Sequence, residues 1–243
     1  MSRSIELSIE VPGTPEEVWD VIATAEGISS WFMPIAALSP RDDIVSVWEP
    51  PTRLVIDAPV IRDAVLAQEW TVESVGGGSC VVRFVQSGFG DGADWDDEFD
   101  CMTGGWRIFL ESLRLQLTHF RGRRATCFVP SASVPGPSER GWTAMCSALG
   151  VPSDLAVGDR LSSTASVGLH GVVESVTLTD AVRTYLFVLD DGDGTGFVAC
   201  EGNGDDVAIS LYLYLYGDDA ESVGAAWASW FEESFRSQVS AAG

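Results

Sequence analysis

The chain has 243 residues, 46% of them hydrophobic, and a formal net charge of −22 at neutral pH. This length suits two domains of ordinary size, and the apolar content is too high for a disordered chain. The acidic balance argues against nucleic acid and anionic membranes as partners, because both are bound through basic surfaces. A neutral apolar ligand, a protein partner or a second copy of the chain is compatible with the charge.

The cysteines and the N-terminus point to a cytoplasmic protein. The five cysteines are odd in number and form no C-x-x-C pair, which is typical of reduced, buried thiols. The chain begins with an alternating apolar pattern instead of a signal peptide, and it contains no apolar run of about 20 residues that could span a membrane. No motif for a cofactor or a catalytic metal is present.

The first elements are a strand and two short helices. Alternation of apolar and polar residues predicts a half-buried strand from Ile5 to Val11. Thr14 is predicted to cap the next helix, with Pro15 at its first position and apolar residues from Val18 to Ile22 on one face. A second short helix is predicted over Ala25 to Trp31.

Short strands follow. The pattern predicts them at Ile44 to Trp48 and at Arg53 to Asp57, and predicts a hairpin of Ala67 to Val75 with Cys80 to Ser87. The glycines at 76–78 supply the turn of this hairpin.

A long amphipathic helix closes the first half. Its apolar residues recur every three or four positions, which places them on one face. They are Trp95, Phe99, Met102, Trp106, Phe109, Leu113, Leu117 and Phe120. Acidic residues between Asp91 and Asp100 lie at its N-terminal end, where the helix dipole stabilises negative charge.

The second half repeats this order of elements with little sequence identity. We predict a strand over Ala125 to Val129, a helix over Ser138 to Leu149, strands over Val172 to Leu178 and Thr184 to Leu189, a hairpin of Phe197 to Glu201 with Val207 to Tyr216, and a closing helix over Asp218 to Val239. The last strand has leucines on one face and Tyr212, Tyr214 and Tyr216 on the other, so both faces should be covered.

Motifs in residues 5–120 resemble a known family. The segments VPGTPEEVW (11–19), WFMP (31–34), WEPPTRL (48–54) and GGW (104–106) are similar to those of prokaryotic homologues of the activator of the heat-shock-protein-ninety ATPase, within the START-like (SRPBCC) superfamily. The resemblance implies an α+β fold with two tandem helix-grip domains, residues 1–123 and a divergent copy at 124–243. In each, a curved antiparallel sheet wraps round a long C-terminal helix. The family's hairpin between Met33 and Ile44 is missing here, since ten residues are too few for it.

The resemblance also implies a hydrophobic cavity between sheet and helix. The residues expected to line it in the first domain are Trp31, Phe32, Trp48, Trp70, Phe84, Trp106, Phe109 and Leu113. The same aromatics could simply fill the core, which is the commoner role of such a stripe. We therefore expect a non-enzymatic binding protein for a small hydrophobic molecule. The alternatives are a module that regulates a chaperone or another partner through its surface, near Trp95 or the tyrosine face, and an enzyme acting on a hydrophobic substrate such as a polyketide.

Two further patterns are weighed against simpler interpretations. Asp191-x-Asp193-x-Thr195-Gly196 begins like a calcium loop, but Glu201 falls one position short of the closing acid and strands flank it, so we predict no metal site. His119 and His170 belong to no recognisable triad. For an enzyme, Glu49, Glu69, Arg83 or His119 would have to point into the cavity, and strand alternation places Glu69 and Arg83 on the opposite face.

Overall fold

The computed structural model describes residues 3–61, 63–202 and 204–239. They divide into two compact units, one ending at Arg124 and the other beginning at Ala125. Each unit holds one antiparallel sheet and ends in a long helix. The predicted α+β class with tandem helix-grip domains is confirmed.

The first unit contains five strands and three helices among its described residues. In chain order they are strand β1 (Arg3–Pro12), helices α1 (Pro15–Ile22) and α2 (Ala25–Ile28), strands β2 (Val45–Glu49), β3 (Arg53–Ile61), β4 (Ala64–Gly76) and β5 (Ser79–Phe89), and helix α3 (Ala93–His119). The strands lie in the order β1-β5-β4-β3-β2.

Local chemistry fixes the ends of these elements. Thr14 caps α1 through a reciprocal pair of bonds: its hydroxyl accepts from the backbone N–H of Glu17, and its own N–H donates to the Glu17 carboxylate at 2.8 Å. The turn between β4 and β5 has positive φ at Gly76, Gly77 and Gly78, a conformation open to glycine at little cost.

The core of the first unit lies between the sheet and α3. The helix contributes Trp106, Leu110, Leu113 and Leu117, and all four are buried. Facing them are the even-numbered residues of β4 and β5, because alternate side chains of a strand share a face. Helices α1 and α2 close one end of this layer with Val18, Val21, Ile22 and Ile28.

The second unit repeats the plan with a larger sheet. Its elements are strands β6 (Thr126–Phe128) and β7 (Ser131–Pro135), helix α4 (Ser138–Leu149), strands β8 (Arg160–Ser162), β9 (His170–Leu178) and β10 (Val182–Leu189), a single 3-10 turn (Asp190–Gly192), strands β11 (Gly194–Glu201) and β12 (Asp206–Leu215), and helix α5 (Ala220–Val239). The order is β6-β12-β11-β10-β9-β8, and β7 also pairs with β12.

Two features hold the second unit together. Trp227, Phe231 and Phe235 of α5 pack on the inner face of the sheet, with the alternate residues of β12 from Val207 to Leu215. Tyr185 fastens the loop after α4: its hydroxyl accepts from the N–H of Leu155 at 3.0 Å and donates to the carbonyl of Pro152 at 3.3 Å.

The structure corrects several boundaries. Helix α2 ends at Ile28 instead of Trp31, and β3 continues to Ile61. The segment expected to link the halves contains a second strand, β7, which Pro130 before it and Pro135 at its end concealed. His170 begins β9 and is not in a loop. The strand β8 was not predicted, because three residues are too few to show an alternating pattern.

Among the described residues, no helix is both long enough and apolar enough to cross a membrane.

Candidate functional site

The structure brings most of the predicted pocket residues of the first unit together. Trp31, Trp70, Phe84 and Trp106 are buried, and Phe32 and Phe109 pack beside them half-buried. Ring centroids of neighbouring members lie 4.1 Å (Phe84 and Trp106) to 6.2 Å (Trp106 and Phe109) apart. Leu113 lies in the same core. We call these six aromatic rings and Leu113 the aromatic cluster.

Trp48 is placed differently from the other predicted residues. Its ring meets Trp19 of α1 edge to face, with centroids 5.4 Å apart. It packs on the outer part of the same core, and within the described part of the chain its ring does not meet the six aromatics of the cluster. Strand β2, which carries Trp48, lies at the edge of the sheet and is separated from β5 by β4 and β3.

One polar side chain within the cluster was missed. Gln86 of β5 is 1% exposed, and its Oε1 accepts a hydrogen bond of 2.9 Å from the indole Nε1 of Trp106. The alternation of β5 could have revealed it, because residue 86 shares the face of Val82 and Phe84. A single buried polar pair in an aromatic surround is the kind of feature that orients a ligand or fixes a core.

Residues 33–43 follow Phe32 of the cluster directly in the chain. This stretch contains no strand or helix. Leu38 packs against the core from it, and the segment is tied to itself by the backbone N–H of Ser39, which donates to Asp42 at 2.8 Å. A loop attached by so few apolar contacts opens at lower cost than a strand.

The polar residues that an enzyme would need lie outside the cluster. Arg83 and Glu6 pair at 2.8 Å on the exposed face, and Arg53 pairs with Glu69 at 2.8 Å. Glu49 and His119 are both exposed. Glu69 and Arg83 lie on the face of the sheet opposite the aromatic residues, as the strand alternation predicted.

The second unit contains a cavity of about 240 Å³ that the sequence did not reveal. It lies where the start of α5 meets the ends of the strands. Its apolar wall includes Leu169, Leu215, Val223 and Trp227, of which Leu169 and Trp227 are almost fully buried. These residues are far apart in sequence and only the fold brings them together.

Polar groups gather on the same cavity. They are His170, Asp190, Asp193 and Asp219. Asp190 is paired with Arg160 through two hydrogen bonds, one of 2.8 Å, and this bond lowers the pKa of the Asp190 carboxyl below its ordinary value. Nδ1 of His170 lies 3.0 Å from the hydroxyl of Ser162.

The tyrosine face of β12 is buried instead of exposed. Tyr212, Tyr214 and Tyr216 are 8%, 0% and 5% exposed. The ring of Tyr212 stacks on Phe197 with centroids 4.1 Å apart. Trp95 is half-buried against Phe89. Neither place offers the exposed aromatic patch that the partner-binding alternative requires.

The remaining patterns have structural roles. Arg3 pairs with Asp96 at the start of α3, and its guanidinium lies 3.7 Å from the centroid of Phe99. Thr195 of the calcium-like motif is fully buried within β11, which removes it from any loop. Across 3–61, 63–202 and 204–239, no three His, Cys, Asp or Glu side chains are placed to hold a metal ion.

The buried thiols are held in their neutral form. Burial raises the pKa of Cys146 to about 12 and that of Cys200 to about 11. A thiolate is the reactive species, so neither cysteine is suited to nucleophilic chemistry near neutral pH.

No protein-family model matches the chain, and no curated protein matches its sequence. Among solved structures, DynU16, a protein of the dynemicin biosynthetic locus, is similar over 97% of both chains, with 15% identity and a TM-score of 0.42. The di-domain ARO/CYC BexL from the BE-7585A biosynthetic pathway covers 98% of this chain and 94% of its own, with 13% identity and a TM-score of 0.40. The Aha1 dimer of Colwellia psychrerythraea covers 47% of this chain and 96% of its own, with 18% identity and a TM-score of 0.39. Likenesses at these scores carry no conclusion about ligand, activity or partner.

Proposed function

We propose that the protein is a non-enzymatic binding protein whose first unit holds a small hydrophobic molecule between the sheet and α3. The observation that carries the proposal is the aromatic cluster built around the Gln86–Trp106 hydrogen bond. Apolar ligand sites in proteins are walled by such rings and contain few, well-placed polar groups. Gln86 is the polar residue that would orient a ligand here.

Entry occurs beside Phe32. This ring stacks on Trp106 with centroids 5.2 Å apart and meets Phe109 at 4.4 Å, so it closes one side of the cluster. It is followed at once by the 33–43 loop. Outward movement of that loop carries Phe32 away from Trp106 and leaves room for an apolar ring in its place.

The surface-binding and enzymatic alternatives receive less support. The tyrosine face is buried, and Glu69 and Arg83 are paired on the outer side of the sheet. A ligand that is held without being changed needs only the apolar wall and the Gln86 amide.

The first test is a search for a bound molecule. The full chain is purified under native conditions and denatured in organic solvent, and the extract is examined by mass spectrometry. We expect a hydrophobic compound in near-stoichiometric amount. The purified protein is also titrated with the neutral fluorescent probe N-phenyl-1-naphthylamine, which should give a saturable rise in emission.

Two matched variants locate the site. Phe32→Ala removes a half-buried ring of the cluster, and Trp19→Ala removes a half-buried ring of the same unit that packs on Trp48. We expect Phe32→Ala to weaken probe binding by roughly tenfold, about 1.4 kcal/mol, and Trp19→Ala to leave it within about twofold. Equal effects of both, or a wild-type protein with neither co-purified compound nor saturable probe binding, would overturn the proposal.

A further inference from the structure

The cavity of the second unit is a built site separate from the aromatic cluster. Its volume of about 240 Å³ exceeds the roughly 150 Å³ of an engineered cavity that binds benzene. It is smaller than the range of about 300 Å³ and above that is usual for drug-sized ligands. An occupant would therefore have one aromatic ring or a short alkyl chain.

The deep wall of the cavity suits an apolar body. Leu169 and Trp227 are 1% exposed and Leu215 is 4% exposed. Trp227 is held in place by Trp230, which meets it edge to face with centroids 5.1 Å apart. A fixed aromatic and aliphatic wall binds an apolar body by removing its surface from water.

The charges at the cavity favour a cation. Asp190 is neutralised by its paired Arg160, whereas Asp193 and Asp219 have no ion-pair partner within the part of the chain that the structure describes. The start of α5 contributes about half a positive charge. Two uncompensated carboxylates outweigh it, and the overall charge of −22 adds to the attraction.

The backbone brings Asp193 and Asp219, both exposed, to the same end of the sheet. The N–H of Tyr216 donates to the carbonyl of Asp193 at 2.9 Å, which fastens the residue after the 3-10 turn to the end of β12. Asp219 follows three positions later, and its Oδ1 lies against Gly217, where an added Cβ would come within 3.3 Å. Both carboxylates line the cavity.

The described side chains at the cavity form no metal-binding cluster. The described residues contain no set of three His, Cys, Asp or Glu side chains close enough to coordinate one. His170 is engaged through Nδ1 with Ser162, which leaves its other nitrogen for a hydrogen bond to an organic group.

We propose that the second unit binds a small organic amine, with its ring or alkyl body against Leu215 and Trp227 and its ammonium group between Asp193 and Asp219. This site is independent of the ligand proposed for the first unit. It gives the divergent copy its own binding role.

The test compares three ligands of nearly equal size by isothermal titration calorimetry on the full chain. They are 2-phenylethylamine (a cation), 2-phenylethanol (neutral) and phenylacetate (an anion). We expect the amine to bind roughly tenfold more tightly than the alcohol, and the acid not to bind, with the preference for the amine reduced by added salt. Equal affinity for amine and alcohol, or no binding of the amine at millimolar concentration, would overturn the proposal.

Variants of two neighbouring residues distinguish binding at this site from general attraction by the net charge of the protein. Asp219→Asn changes a carboxylate that lines the cavity, and Asp218→Asn removes the same charge from an exposed residue that does not. We expect the first to weaken amine binding by about tenfold and the second by less than about twofold. Equal losses would show attraction by net charge alone and would count against a site.

Filling the cavity provides a second measurement. Val223→Phe places a larger side chain on the cavity wall and should abolish binding of the amine. Its thermal unfolding is recorded alongside, so that a loss of fold is recognised. N-phenyl-1-naphthylamine binding in the first unit should persist in this variant. A failure of the amine proposal can therefore be told apart from a failure of the function proposed for the first unit. Unchanged amine binding in a folded Val223→Phe protein would place the ligand elsewhere.

Discussion

The indole Nε1 of Trp106 donates a 2.9 Å hydrogen bond to Oε1 of Gln86, and so joins the long helix of the first unit to the middle of its sheet. Replacing Gln86 by Leu leaves this N–H unpaired in a buried site. We expect the free energy of unfolding to fall by about 1–3 kcal/mol, measured by urea denaturation.

Two controls accompany this prediction. Gln68→Leu alters the residue directly opposite on β4, which is half-buried, and should have a clearly smaller effect. Trp106→Phe removes the donor, so the double variant Gln86→Leu/Trp106→Phe should lose less stability than the sum of the single variants. Additive losses would mean that the hydrogen bond contributes nothing.

Gly224 of α5 is required by its contact with β6. A Cβ at this position would lie 1.9 Å from the ring of Phe128. Alanine is the better helix former by about 1 kcal/mol, yet we expect Gly224→Ala to destabilise the protein by about 1–3 kcal/mol, because the ring must move. Chemical denaturation measures the difference.

The matched control is the exposed neighbour. Ala225→Gly should cost only the helix propensity, about 1 kcal/mol. Combining Gly224→Ala with Phe128→Leu should recover part of the loss, since the smaller side chain vacates the space. A Gly224→Ala protein more stable than the wild type would contradict the close approach of helix and strand.

Glu201 makes the stability depend on pH. Burial raises the pKa of its carboxyl above the ordinary value of 4.5. Between that value and the raised pKa the folded state binds more protons than the unfolded state, so the free energy of unfolding falls as the pH rises. Glu201→Gln should therefore be more stable than the wild type near neutral pH and should lose this slope. Asp205→Asn, at an exposed carboxylate, should keep it.

The measurement is a set of urea unfolding curves from about pH 4.5 upward, for wild type and both variants. The difference between Glu201→Gln and wild type should grow with pH and then level off. A constant difference across the range would mean that Glu201 titrates alike in the folded and unfolded states.

Much of the fold could be predicted because its long elements have clear periods. The stripe from Trp95 to Phe120 predicted α3, and the alternation of β12 predicted which residues face the core. The strand β7 was missed since it follows Pro130 directly, ends in Pro135 and has no distinct pattern in between. Its strand character comes from pairing with β12, which no local sequence encodes.

The candidate site was predictable in part for the same reason. The placement of the aromatic rings of α3, β4 and β5 on one face follows from the periodicity of the sequence. Trp48 packs on Trp19 instead, because β2 lies at the sheet edge. The order of strands in a sheet is a tertiary property that periodicity does not predict. Gln86 could have been recognised from the parity of β5. The cavity of the second unit could not, because Leu169, Leu215 and Trp227 share no segment and no motif.

The pairing of β12 with two short strands bears on how the folded protein avoids polymerising. Its outer neighbours are β6, with three residues, and β7, with five, interrupted at Pro130 and ended by Pro135. Proline has no N–H to offer an incoming strand, and each run is too short to template a long one. At the far side of the same sheet, the three residues of β8 pair with only the first three residues of β9. On the β12 side, the described part of the larger sheet thus presents only short runs, broken by proline, to which another molecule could attach.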